Sequence, residues 1–124
     1  MLGSRQRDTG VDTVSMVQML LAQIGGLHGL MRRFQQSGLG SAMESWIGPG
    51  PNRAISATQI QQALGSAQLV QLSSRLGLDP RELAALLAQH LPKMVDSMTP
   101  EGRLPEAGSP QELGLGLKKD VVRH

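Results

Sequence analysis

Apolar residues along this chain recur at the three- and four-residue spacing of an amphipathic helix, and nowhere in the alternation of a strand. Val14, Val17, Leu20, Leu21 and Ile24 form one stripe, opened by Asp12 or Thr13 as a cap and closed by Gly25-Gly26. Leu27, Leu30, Met31 and Phe34 form a second, closed by Gly38, and Leu39, Ala42, Met43, Trp46 and Ile47 form a third. Gly48-Pro49-Gly50-Pro51 then stops the helix, because proline lacks a backbone donor and glycine favours open conformations.

Two later helix starts are specified within a few residues each. In Ile55-Ser56-Ala57-Thr58-Gln59-Ile60, Ser56 caps, Gln59 reaches back and Ile55 staples to Ile60. In Leu78-Asp79-Pro80-Arg81-Glu82-Leu83, Asp79 caps and Pro80 occupies the first helical position, where its missing donor costs nothing. Glu82 completes that box and Leu78 staples to Leu83. Gly65 and Gly77 fit left-handed helix ends, so helices are predicted at about 57–64, 67–76 and 80–90. Pro92 breaks or restarts the chain, leaving Pro92–Met98 as a short last helix. The pattern predicts an all-α protein: a flexible start over 1–13, a helical domain over 14–105 and a loose tail over 106–124.

Composition narrows the function. An apolar fraction of 40% and a mean hydropathy of −0.15 are those of a globular chain, and 124 residues suffice for one core. Charged residues are only 18%, against roughly 25% in an average domain, so the polar surface falls to Gln and Ser. The pI of 9.7 accompanies a net charge of only +2, and the basic residues are scattered. With one Trp, one Phe and no Tyr there is no platform for stacking single-stranded bases. Absence of cysteine removes disulfides, thiolate metal sites and cysteine nucleophiles. Residues 1–12 are polar, with Asp8 and Asp12 where a signal peptide needs an apolar run. The stretch Val14–Met31 is interrupted by Ser15, Gln18, Gln23 and His28, so no membrane span is expected and the expected compartment is the cytoplasm.

The best-defined constellation is a helix-turn-helix. Leu72, Leu76, Leu78, Leu83 and Leu86 surround a turn at Gly77, with small Ser73 where two helices approach. If the helix from Pro80 entered a major groove it would present Asp79, Arg81, Ala84, Ala85 and Ala88. Base readout calls for Arg, Lys, Asn or Gln, and phosphates call for cations; one Arg among three alanines behind an acid suits neither. Alanines instead let another backbone come close, so the candidate interaction face is Arg81, Ala84, Ala85 and Ala88. Trp46 joins it as the one large aromatic anchor, unless its indole N–H is spent on a carbonyl within the core. Met16, Met19, Met31 and Met43 read as core filler.

No catalytic, cofactor or metal site is expected. His28, His90 and His124 lack ligand spacing, and His90 reads as a partly buried helix-end residue. Glu44, Asp79, Glu82 and Asp96 are dispersed, two of them engaged in capping, while Asp96 is placed to tie a backbone donor nearby. Gly38-Leu39-Gly40 and the Gly-Pro loop lack the strand and lysine of a phosphate cradle.

An ordered string of motifs also resembles one family. Gly25-Gly26-Leu27, Phe34-Gln35-Gln36-Ser37-Gly38-Leu39-Gly40, Ser45-Trp46-Ile47-Gly48, Gly50-Pro51-Asn52, Ile55-Ser56 and Gln61-Gln62-Ala63-Leu64-Gly65 are similar to the bacterial YidB-like family. So are Leu91-Pro92, Val95-Asp96, Thr99-Pro100, Gly102 and Leu104-Pro105. His28 and Pro49 depart from residues common there, and both termini are private. The resemblance, over about 14–105, implies an all-helical fold with a homeodomain-like arrangement and no particular activity. The expectation is a non-enzymatic module that binds an unidentified protein partner or itself, with a helix-turn-helix DNA-binding regulator as the alternative.

Overall fold

The structure, a computed structural model, describes residues 12–115. Among them are six helices and no strand: α1 Thr13–Ile24, α2 Gly26–Gln36, α3 Gly40–Ile47, α4 Ala57–Leu64, α5 Ser66–Leu76 and α6 Pro80–Met98. A single 3-10 turn, Gln111–Leu113, follows. The expected start over 1–13 and tail over 106–124 lie largely (1–11 and 116–124) outside the described residues.

α1 begins where the Asp12 carboxylate accepts from the Val14 N–H at 3.1 Å and from the Ser15 hydroxyl at 3.2 Å. It ends at Gly25, whose φ of 94 is accessible to glycine with little penalty, and a second positive φ at Gly26 turns α2 by 75° against α1. α3 carries Trp46, fully buried, edge-on to Phe34 of α2 with ring centroids 5.4 Å apart. The Trp46 indole N–H donates to the Arg53 carbonyl at 2.9 Å, and the Ser45 hydroxyl accepts from the Arg53 N–H at 3.0 Å. These two bonds fasten the loop that the Gly-Pro run creates.

Both capping boxes form. Ser56 Oγ accepts from the Gln59 N–H and Gln59 Oε1 from the Ser56 N–H, each at 3.0 Å. Asp79 Oδ1 accepts from the Arg81 N–H at 2.8 Å, and Glu82 Oε1 from the Asp79 N–H at 3.3 Å. Between α5 and α6, left-handed Gly77 lets the Leu78 N–H return to the Ser73 carbonyl at 2.9 Å.

α6 is the axis of the molecule, packed on α1, α3, α4 and α5. Here the structure corrects the sequence expectation: Pro92 neither breaks nor restarts the helix, which runs unbroken to Met98. A proline inside a helix costs about 3 kcal/mol. Leu87, Leu91, Met94, Val95 and Met98 are all buried on one side of the helix, spanning Pro92. Each such side chain contributes about 1.5–3 kcal/mol on burial, so together they outweigh the lost bond. The Asn52 side chain also donates to the Pro92 carbonyl, at 3.4 Å.

A second correction concerns the tail. Residues 106–115 are not loose: the 3-10 turn packs on α1 and α2, and Glu112 is buried. Periodicity misses this segment because it is anchored by polar contacts, the Glu112 carboxylate foremost, rather than by an apolar stripe.

Candidate functional site

The helix-turn-helix is built as its leucines suggest. Leu69 and Leu72 of α5 and Leu83 and Leu87 of α6 are buried, and Leu76, Leu78 and Leu86 are partly buried against the same core. Ser73 is 2% exposed, and its hydroxyl is satisfied by the Val70 carbonyl at 3.1 Å, so a small residue fits the close helix approach without an orphaned donor.

The proposed interaction residues do not share one surface. Arg81 and Ala85 are exposed and Ala88 is half-buried. Ala84 and Trp46 are fully buried within the chain, so neither serves as a contact point for a partner. Ala84 lies one position after Leu83 on the inward stripe of α6, and Trp46 spends its indole N–H on Arg53. The exposed side of α6 is instead Arg81, Glu82, Ala85, Gln89, Lys93 and Asp96. Helical spacing from Ala85 leads to Gln89 and then Lys93, so this line turns polar after its first small residue. The sequence contained that signal once the inward stripe was assigned to Leu83, Ala84 and Leu87.

Charge on the helical body is close to balanced. Between residues 12 and 115, Arg32, Arg33, Arg53, Arg75, Arg81, Lys93 and Arg103 stand against Asp12, Glu44, Asp79, Glu82, Asp96, Glu101, Glu106 and Glu112. That is seven against eight, a net charge of −1, and the five basic and two acidic residues of the ends bring the chain to +2. The α6 N-terminus, where a DNA phosphate would sit in a groove-reading pose, carries Asp79 and Glu82.

The histidines are structural in what they touch. His28 Nε2 donates to the Pro105 carbonyl at 2.9 Å. His90 is half-buried within α6 rather than at its end. Burial first, and the nearby Lys93 charge second, hold its imidazole below the usual histidine range. His124 lies outside the described residues. Among the described residues no group of three or more His, Asp or Glu is placed to hold a metal ion. Asp96 is exposed; its backbone carbonyl, not its carboxylate, receives the Thr99 N–H at 3.2 Å.

Sequence reasoning missed one more feature. A cleft of about 650 Å³ opens between the end of α6 (Ser97, Met98) and the C-terminal segment (Leu104, Pro105, Gln111, Gly114). Glu101 and Arg103 at its rim pair at 3.3 Å but are largely exposed, so the pair adds little.

Known proteins resemble this chain in sequence and in fold. The family model described as YidB-like protein matches residues 7–107. The chain belongs to the YidB-like family. Its YidB-like relatives include the uncharacterized protein YidB of Escherichia coli (strain K12), 30% identical over 95 residues, which are 76% of this chain and 72% of that protein. Among solved structures, a homeodomain-like protein of unknown function from Shigella flexneri superposes with a TM-score of 0.75 at 27% identity. That match covers 89% of this chain and 87% of the other. The YidB-like fold is therefore all-helical and homeodomain-like, as the motifs imply. No single helix among the described residues is long and apolar enough to cross a membrane. The bent pair α1–α2 is apolar because it lines the core: Val17, Leu20, Leu21, Leu27 and Leu30 are buried.

Proposed function

We infer that this YidB-like chain is a non-catalytic, cytoplasmic helical module that works by binding another protein or a second copy of itself. The observation that supports this reading is the outer face of α6, where exposed Ala85 follows the adjacent charges of Arg81 and Glu82. Small side chains let a second helix approach closely, and adjacent charges of opposite sign give a partner register without a uniform field. Exposed Gln89 extends the same face with an amide that both donates and accepts hydrogen bonds. On the adjoining α5, Val70 stands 53% exposed, an apolar contact left in solvent. A duplex reader needs cations to release counterions from phosphates, and a body with net charge −1 and acids at the α6 N-terminus offers few.

The experiment is site-specific photo-crosslinking in cells, with the crosslinker at position 85 and a control at exposed Thr58. One discrete adduct at 85, absent at 58, is the expected result; equal labelling at both sites would overturn the reading. A parallel titration of the purified chain with a random duplex pool separates the alternative. Tight binding that falls steeply with salt and is lost in Arg81→Ala would make the protein a DNA regulator instead.

A further inference from the structure

The N-terminus of α2 has no side-chain cap of its own, because Gly25 precedes it. Its cap comes from Glu112, far along the chain. The carboxylate is 3% exposed; Oε2 accepts from the His28 N–H at 2.9 Å and Oε1 from the Gly108 N–H at 2.7 Å. Gly26 makes room for it: a Cβ there would stand 2.6 Å from the Glu112 carboxyl carbon, on a backbone with φ of +76. Two further bonds flank this seat. The Gln18 side chain donates to the Gly114 carbonyl at 2.7 Å, and His28 Nε2 to the Pro105 carbonyl at 2.9 Å.

Each of these bonds from the body reaches the segment from α1 or α2, the helices on which the 3-10 turn packs. The helix from which the segment departs is α6, and there the 650 Å³ cleft intervenes. Of the residues that join the two, Pro100, Glu101, Gly102 and Arg103 are exposed, while Thr99 is buried at the end of α6 and Leu104 is half-buried against the core. The docking is thus specified by the corner and the segment, and the covalent link between them takes little part in it.

We propose that residues 105–115 form an exchangeable strap, which docks on its own α1–α2 corner and equally on that of a second copy, giving a strap-swapped dimer. The occupant is fixed by the structure: the segment that fits the corner is the chain's own. In the unmodified protein the attached strap wins at ordinary concentrations, since a short link holds it at an effective concentration on the order of millimolar. The surface is separate from the outer face of α6. The result at position 85 and the result for the strap therefore stand or fall independently.

Two full-length variants test this. Gly26→Ala keeps a sound strap but blocks its own seat; Glu112→Ala keeps the seat but blanks its own strap. Each alone should sediment as a monomer, and an equimolar mixture should form a one-to-one heterodimer, because the strap of the first fits the seat of the second. A mixture that sediments as monomers alone would overturn the proposal. Hydrogen exchange on the unmodified chain guards against misfolded variants. His28 and Gly108 amides should exchange at least about tenfold faster than those of Leu87 and Leu91, and equal rates would refute a releasable strap.

Discussion

α4 and α6 on one side and α2 on the other solve the same problem in different ways. Every helix begins with amide groups that lack partners. α4 meets the need with Ser56 and Gln59, and α6 with Asp79 and Glu82, each within three residues of the helix start. α2 starts on two glycines and borrows Glu112 across 84 positions of sequence. A local cap forms with its helix and stays with it. A borrowed cap exists only while another segment is docked, so the corner it serves can change state while the helices around α6 do not.

The largest effect expected from that contrast is at the axis. Leu87→Ala empties a fully buried position on α6 and should cost about 2–5 kcal/mol, read as a lower urea midpoint in one transition. α1, α3, α4 and α5 all pack on α6, so no part of the body survives its loss. Glu112→Ala should cost less, about 1–3 kcal/mol for amides left without an acceptor. Its amide shift changes should stay within residues 18–30 and 105–115. If it lowers protection of α6 as much as Leu87→Ala does, the corner is no separate unit and the comparison fails.

What could be read in the chain beforehand divides along the same line. The boxes at Ser56 and Asp79, the turn at Gly77 and the leucine core around it are short-range features, and each is in place. α6 ran past its expected end because burial of Leu91, Met94, Val95 and Met98 outweighs one missing bond, a sum that local rules about proline do not include. Ala84 and Trp46 look available in sequence, yet only packing decides which side of a helix is inward. Glu112 gave no signal of its own. The one hint lay elsewhere, in the doubled Gly25-Gly26, which ends α1 and also leaves room for a carboxylate.

The caps themselves give a finer test. Ser56→Ala removes the acceptor of the Gln59 N–H at an exposed position and should cost about 1 kcal/mol, with Asp79→Ala similar. Glu82→Gln should cost less than either, since a neutral amide oxygen still reaches the Asp79 N–H. In all three, chemical shifts at His28 and Gly108 should not move. A response there would mean that the locally capped helices and the borrowed cap are coupled through the core.

The smallest effect concerns pH and lies within α6 itself. Burial, and then the Lys93 charge, lower the His90 pKa from its ordinary 6.5. The unfolded chain therefore takes up this proton at higher pH than the folded chain does. The neutral ring contributes stability that is fully present above pH 6.5 and declines as pH falls from there through the folded value. His90→Gln should flatten this part of the stability curve between about pH 7 and 5, and Lys93→Ala should flatten it less, because burial is the larger cause. The difference between parent and His90→Gln is the quantity to measure. Should that difference be nil, burial of the His90 ring would have no bearing on the pH dependence of stability and the prediction would fail.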